Sequence, residues 1–476
     1  MASQELHVII VGASITGITL ALCLERLNVS YTVLEKHNDI GPRIGGSLAI
    51  NPNGALILEQ LDVWSEVNKA MYAFEEIKMR IADDFSYTLK YAADLRNMLG
   101  YSIGMISRHK LINILYGQIR HKDRFITGCQ VERISDEGEA HVCVFDSKGR
   151  EHQGGLVVGA DGIRSQVRSQ LSPRTLKAAA AAGAEPLVTC EYACVFGTSA
   201  NLPKFTPGLR IRSDKGLTLF AESLKGSDVF WMAFTKLDQR RQWPHKMKFT
   251  KEDALDIAQK ILDKKFDDDL CFRDAWQTAD SFDIVPLEEG VFSQWVSGRL
   301  VCIGDAVHKV CPNTGQGANM AMEDAAGIAN LVSRLLAQAS TDSKNWIDRI
   351  ELEKELQQFE RVHKARARKW DNLSRWVLRM HAHDGFLRRL VNSYAMPAMD
   401  PWLARMSCGL LLTGVTLDFV EKPALLASKG KGQRKDNAFG EADVFKFVLR
   451  FMVAIYLLSY AYRTVVRNFE IPLIEV

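Results

Sequence analysis

The sequence predicts an α/β fold in which a parallel, helix-covered sheet is interleaved with an antiparallel β-sheet lobe, followed by C-terminal helices and a hydrophobic tail. Three observations predict it. An apolar strand run at the N-terminus ends in a glycine turn that opens a helix. Two further strand–Gly–Asp turns appear much later, within Gly159–Gly162 and Cys302–Asp305. Between them, Leu187 to Phe234 carries short β-rich runs that suit a second lobe built on a sheet.

Taken in order, Leu6–Gly12 is a continuous, β-branched apolar run, as a buried parallel strand requires. Ile18–Asn28 has apolar residues at helical spacing, and Ser30–Lys36 is again a strand, which completes a βαβ unit. Leu111–Ile119 reads as a helix. Gln130–Arg150 alternates apolar and polar residues about Gly138, the pattern of a hairpin. Gly155–Gly162 is a buried strand ending in a turn. Ser172–Glu185 contains an alanine run bounded by Pro and Gly without an amphipathic face, and is expected to be a mobile surface loop. Trp295–Ala306 returns to the buried-strand pattern and precedes a helix expected to run to about Leu336. Asp348–Ser393 reads as helical and strongly basic.

Bulk properties narrow the function. A net charge of +3 over 476 residues, with Lys and Arg scattered, gives no electrostatic footprint for nucleic acid. The 9 cysteines form no CxxC pair, which argues against a disulfide framework and a zinc site and suits a reducing compartment; no metal is expected. The N-terminus enters a strand almost at once, so no signal peptide is expected.

The first turn, V-G-A-S-I-T-G, places Gly12, Ser14 and Gly17 at the three positions of a GxGxxG dinucleotide motif, with Ser at the middle one. The first Gly permits the tight turn, the third lets helix and strand pack closely, and the backbone N–H groups at the helix start cradle a pyrophosphate. Glu35 ends the second strand, 18 positions after Gly17, where a carboxylate can hold ribose hydroxyls and favours an adenosine without a 2′-phosphate. The second turn carries Asp161 in GADGIRSQVR. The third carries Asp305, followed by a Pro- and Gly-rich loop, Pro312–Asn319. Asp305 can accept from a ribityl hydroxyl, and loop N–H groups can face a flavin ring that becomes negative on reduction. Helix N-capping explains either Asp singly, but not both together with the glycine loop.

These three elements, in this order, resemble the class A flavoprotein monooxygenases, the para-hydroxybenzoate hydroxylase-like family. Glu35–Trp64, Ser107–Leu111 (SRHKL) and Glu191–Gly197 (EYACVFG) further resemble its fungal branch that epoxidises prenyl chains in indole-diterpene and meroterpenoid biosynthesis. The resemblance implies tightly bound FAD, with NADPH or NADH as transient reductant, and O2 as co-substrate. Oxygen transfer would proceed through a flavin C4a-hydroperoxide to a terminal prenyl olefin, or alternatively to a phenolic ring. It places Gly12, Ser14 and Gly17 along the ADP part and Glu35 on the adenosine ribose. Ala49 falls where the backbone approaches the flavin, and Arg108 at the phosphate or ribityl region. Asp161 falls in the second motif, Asp305 on ribityl hydroxyls, and Gly317 and Ala318 beside the isoalloxazine. No catalytic residue is nominated. His308 in the flavin loop is the tempting candidate but reads more simply as a loop residue, and Tyr192 and Phe196 are either channel-lining or core.

On this reading the FAD-binding domain comprises residues 1–75, 106–172 and 286–336, with a substrate-lobe segment at 76–105 and the β-rich substrate domain at 173–285. A C-terminal helical region follows at 337–427, then a polar, Gly/Lys-rich linker at 428–443. Residues 444–466 form an apolar segment whose clean run, Phe451 to Tyr462, falls short of the ~20 residues a spanning helix needs. Lys446, Arg450 and Arg463 flank it where their stems could snorkel, so it is expected to span or lie on a membrane. The catalytic body would then sit on the cytosolic side, with the endoplasmic reticulum the expected membrane and a lipophilic prenylated molecule the expected substrate.

Overall fold

The computed structural model describes residues 6–42, 46–136, 141–171, 188–200, 202, 204–243, 247–341 and 348–423. The expected loop at 172–185, the Gly138 turn, the linker and the apolar tail therefore lie outside the described residues.

The N-terminal motif builds the centre of a six-stranded sheet. His7–Val11 pairs in parallel with Ser30–Leu34 on one side and Leu156–Gly159 on the other, and the sheet continues through Leu300–Cys302. Only Val296–Ser297, at the edge, runs antiparallel. Val8, Ile9 and Ile10 are fully buried because both faces are covered. Helix Ile15–Arg26 packs against helix Gly317–Thr341 on one face. On the other, the strands Val131–Ser135, Val142–Asp146 and Glu151–Gly154 form a small antiparallel sheet that approaches at Gly154, where a Cβ would lie 2.9 Å from Ile9.

The second lobe is an eight-stranded sheet. The strands Val188–Ser199, Leu209–Asp214, Leu217–Ser223, Val229–Gln242 and Ala279–Val291 supply most of it. It is antiparallel with one exception: Ile77–Ile81 pairs in parallel with Leu209–Asp214, then turns back through Phe85–Leu89. That strand arrives from the first lobe by a long crossover rather than a hairpin, and so is free to pair in either sense. Two crossing segments, Ser47–Ile50 and Gly104–Ser107, pair with each other between the lobes.

Two helix boundaries differ from expectation. The helix after the flavin loop runs to Thr341, beyond Leu336. The basic region is helical, with a break after Arg349–His381 where His383 and Gly385 take positive φ (46° and 100°), and the short helices Phe386–Leu390 and Val391–Ala395 lead into Met396–Leu412.

Candidate active site

Each motif residue is held by a local constraint that the fold makes visible. Gly12 sits at φ 103°, and a Cβ there would lie 2.6 Å from the Ala160 carbonyl oxygen, so the first and second turns abut only because it is glycine. A Cβ at Gly17 would collide with the Gly12 carbonyl, which is the close helix–strand approach the motif calls for. Glu35 is buried, and its carboxylate accepts the backbone N–H of Ala13 at 2.7 Å and of His37 at 2.9 Å. It therefore braces the glycine turn itself.

Ser14, the middle position, precedes helix Ile15–Arg26 without capping it through its side chain. Its Oγ accepts from Arg108 Nη2 at 2.6 Å. Arg108 begins helix Arg108–Gly117, where Ser107 caps the Lys110 N–H as the SRHKL pattern suggests, while the guanidinium turns inward. Burial lowers the Arg108 pKa, opposed by Asp305 and Glu35. A buried guanidinium that bonds Ser14 and forms no ion pair with a described carboxylate is suited to an added anion such as a diphosphate.

Asp161 caps a helix with one oxygen and leaves the other open. Its Oδ2 accepts the N–H groups of Gln166 (2.7 Å) and Val167 (3.3 Å), bracing the head of the short helix Gln166–Leu171, while Oδ1 is buried without a partner. Burial raises its pKa against those hydrogen bonds. Asp305 stands in the turn Gly304–Ala306, paired with Lys309; burial pushes its pKa up, but Lys309, His308 and Arg108 outweigh it and hold the carboxyl low.

All ten nominated residues except Gly17 line one cavity of about 1610 Å³. Gly17 lies behind it and acts through packing. At one end are Gly12, Ser14, Glu35 and Arg108, with Asp161 beside the Gly12 turn. In the middle, the loop at 312–318 faces Ala49, whose Cβ lies 2.6 Å from where a Cβ on Gly315 would stand. At the far end the wall is apolar. Sheet residues such as Met79, Ile211 and Phe220 face Trp370, Val377 and Met380 of the long helix, and Met396, Met399 and Met406 of the last one. Both helices present residues at intervals of three and four, so each turns one apolar stripe to the cavity.

The cavity wall fits a bound FAD. Buried side-chain atoms without partners gather there: Asp161 Oδ1, Asn313 Oδ1, Thr314 Oγ1 and Trp370 Nε1. Cβ atoms at Gly162 and Gly317 would meet nothing within 4 Å, leaving backbone open to a ligand at both turns. Gly317 and Ala318 open the 25-residue helix, whose positive end faces the cavity.

Sequence reasoning missed the amides that fix the loop at 312–318. Asn319 Nδ2 donates to the carbonyls of Ala49 (2.9 Å) and Gly315 (2.7 Å), and its Oδ1 accepts the Asn51 N–H at 3.0 Å. Asn51 Nδ2 donates to Gly315 O, and Asn53 Nδ2 to Gln316 Oε1, both at 3.0 Å. The NPN run at 51–53 is the one local signal that could have pointed to them.

His308 is fully buried away from the cavity. Its Nε2 and His363 Nδ1 each lie 2.7 Å from the Asp324 carboxylate, which also accepts the Gly304 N–H at 2.9 Å. Tyr192 and Phe196 do not line the cavity. Tyr192 is buried and donates to Asp384 at 3.2 Å, and Phe196 packs against Phe230. Cys129, Asp146 and His152 come together in a geometry that could hold a metal ion, but the Asp146 carboxylate is already engaged by the N–H groups of Lys148 and Arg150 and the Arg150 guanidinium.

Comparison with known proteins agrees with this geometry. A family model described as an FAD binding domain matches residues 5–353. The chain is 37% identical over 422 residues to the FAD-dependent monooxygenase terM of Tolypocladium album, covering 88% of both chains. It is 34% identical to the FAD-dependent monooxygenase janM of Penicillium janthinellum, covering 98% of this chain and 96% of that one. Among solved structures, Klebsiella pneumoniae HpxO complexed with FAD and uric acid superposes with a TM-score of 0.66 at 16% identity, over 87% of this chain and 98% of that one, which shows a shared fold. The chain belongs to the FAD-dependent monooxygenases, an enzyme family built on this FAD binding domain.

Proposed function

We propose that this monooxygenase uses NADPH or NADH and O2 to epoxidise a terminal prenyl olefin of an indole-diterpene or meroterpenoid intermediate. One observation carries the reading: the nucleotide cradle opens, without a break, into an apolar, methionine-rich chamber. Methionine side chains adapt to irregular greasy shapes, and a simple phenol would leave much of that chamber unfilled.

In this reading Gly12, Ser14 and Gly17 shape the ADP site, Glu35 meets the adenosine ribose, and Arg108 meets the diphosphate. Asp161 and Asp305 hold the middle of the cofactor. Ala49, Gly317 and Ala318 flank the isoalloxazine, with Asn51 and Asn319 fixing the loop between them. Bound FAD supplies the redox chemistry, accepting reducing equivalents from the nicotinamide and passing one oxygen atom of O2 to the substrate. The protein's part is positioning and exclusion. The apolar helical stripes keep water from the reacting centre and hold the acceptor double bond against it.

A membrane as partner follows from the same chamber. Leu373, Trp376, Phe386 and Leu387 line its mouth and are exposed, beside Arg388 and Arg389. Exposed apolar side chains with two arginines beside them suit the cytosolic face of an anionic bilayer such as the endoplasmic reticulum. No helix among the described residues is long and apolar enough to cross a membrane, so on this reading the body sits at the interface and residues 444–466 add the anchor.

The test is incubation of the FAD-loaded chain with NADPH, O2 and a panel of prenylated indoles and terpenoid phenols, read by mass for one added oxygen. Oxygen recovered on the prenyl chain supports the reading. Ring hydroxylation of a simple phenol, with every prenyl chain untouched, overturns it in favour of a phenol hydroxylase.

A further inference from the structure

The sheet wall of the chamber is apolar at every lining position but one on the five neighbouring strands Phe85–Leu89, Ile77–Ile81, Leu209–Asp214, Leu217–Ser223 and Val229–Gln242. Met79, Ile211, Phe220 and Met232 are typical of it, and the exception is Glu222. Glu222 is 2% exposed, with Leu209 and Phe230 as its cross-strand neighbours. A carboxyl placed among such neighbours is costly unless it is satisfied. Its hydrogen-bond partner is Ser47, whose Oγ donates to Oε1.

That partner fixes where Glu222 stands. Ser47 and Ala49 are two apart on the strand Ser47–Ile50, so they share a face and are separated by roughly 7 Å. Ala49 faces Gly315 in the loop assigned to the isoalloxazine. The carboxyl therefore sits at the junction of the cofactor end and the apolar end. The Ser47 hydrogen bond occupies Oε1 and leaves Oε2 for another partner.

We propose that Glu222 determines substrate specificity, its carboxyl hydrogen-bonding a hydroxyl or carbonyl oxygen on an otherwise apolar substrate and so setting which end of the chain reaches the flavin. Burial pushes its pKa to about 8, opposed by the Ser47 hydrogen bond, so at neutral pH the group is a donor as well as an acceptor. No titratable side chain faces it from Ser47, Leu209 or Phe230. Across the chamber stand His381, whose ring is 6.0 Å from that of Phe220 and whose burial drops its pKa to about 3, and the Asp384 and Arg388 side chains. Asp384 is already paired with Lys236 and Tyr192.

The inference rests on the lipophilic-substrate reading above, and the test separates the two. Farnesene, farnesol and farnesal offer one apolar chain with no oxygen, a hydroxyl and a carbonyl. Their binding to the FAD-loaded enzyme is read from the flavin difference spectrum, without turnover. The alcohol and aldehyde should bind roughly two- to tenfold tighter than the hydrocarbon, the range of one hydrogen bond. Glu222→Leu should erase that preference, and Glu222→Gln, which keeps a donor, should retain most of it. Above about pH 8 the aldehyde, which can only accept, should lose its advantage while the alcohol keeps its own. Equal binding of all three to the wild type, or a preference that survives Glu222→Leu, overturns the proposal. Failure of all three to bind sinks the lipophilic reading and this one with it.

Discussion

Asp324 gives the sharpest test of how the turn that carries Asp305 is held. It is 3% exposed, on helix Gly317–Thr341, and it accepts from Gly304 N–H, His308 and His363 at 2.7–2.9 Å. Gly304 has φ 62° and carries Asp305 into the cavity, so the carboxylate ties that turn to the helix. Asp324→Ala strips the acceptor from two imidazoles and an amide at once, and should cost about 3–5 kcal/mol of stability. Asp324→Asn keeps the volume and one acceptor and should cost about 1–3 kcal/mol. The pH dependence supplies a second reading. Burial opposes protonation of His308, but Asp324 outweighs it and raises the pKa above 6.5. Its stabilising contribution is therefore complete below the unfolded value and is lost as pH rises through the folded one. Asp324 acts in the opposite sense, its lowered pKa giving stability that is lost only as strongly acid pH protonates it. Urea unfolding of the FAD-loaded protein at about pH 6 and about pH 8.5 should show wild type losing stability over that interval through His308, and Asp324→Asn losing that component. An Asp324→Ala variant within about 0.5 kcal/mol of wild type would refute the reasoning, as would an unchanged pH slope in Asp324→Asn.

Three further outcomes follow from the same geometry. Gly12→Ala forces a side chain into φ 103° and against the Ala160 carbonyl, so the folded protein should purify without flavin absorbance; a yellow variant would contradict the assignment of this turn. Arg108→Ala removes the guanidinium that reaches Ser14, and should weaken FAD roughly 10- to 100-fold by fluorescence titration, the worth of charge-assisted hydrogen bonds. Arg108→Lys should recover only part of that, because a point charge lacks the guanidinium fork. Trp376→Ser combined with Phe386→Ser should lower co-flotation of the full chain with anionic vesicles while leaving its flavin spectrum intact; unchanged flotation would assign membrane contact elsewhere.

What the sequence disclosed, and what it hid, divides by the distance over which each constraint acts. Gly12, Gly17 and Glu35 are legible because their constraint is local: a positive φ, a close approach and a brace within one βαβ unit. Asp161 and Asp305 are legible as turns, yet their chemistry was ambiguous between cap and ligand, and Asp161 caps with one oxygen while the other stays buried without a partner. The amide clasp of Asn51, Asn53 and Asn319 was not legible. It joins positions more than 260 apart, and nothing in the spacing of a lone Asn says what it will face. The parallel strand Ile77–Ile81 was hidden for the same reason, since alternation gives a strand's faces but not the sense of its neighbour.

The C-terminal helices were read from their charge, and charge was the less informative half. Arg349–His381 is basic on its outer face, but Trp370, Val377 and Met380 mark a stripe whose partner is the substrate sheet rather than the helix's sequence neighbours. Glu222 shows the converse. In the run GLTLFAES it is an unremarked polar residue on an alternating strand, and alternation would ordinarily place it in water. Only the fold shows that this face of the sheet is roofed by helices some 150 residues further on, which converts a routine surface acid into a buried one poised beside the cofactor loop. Burial, not residue type, gives that carboxyl its chemistry, and burial at this site is a property of the assembled lobes.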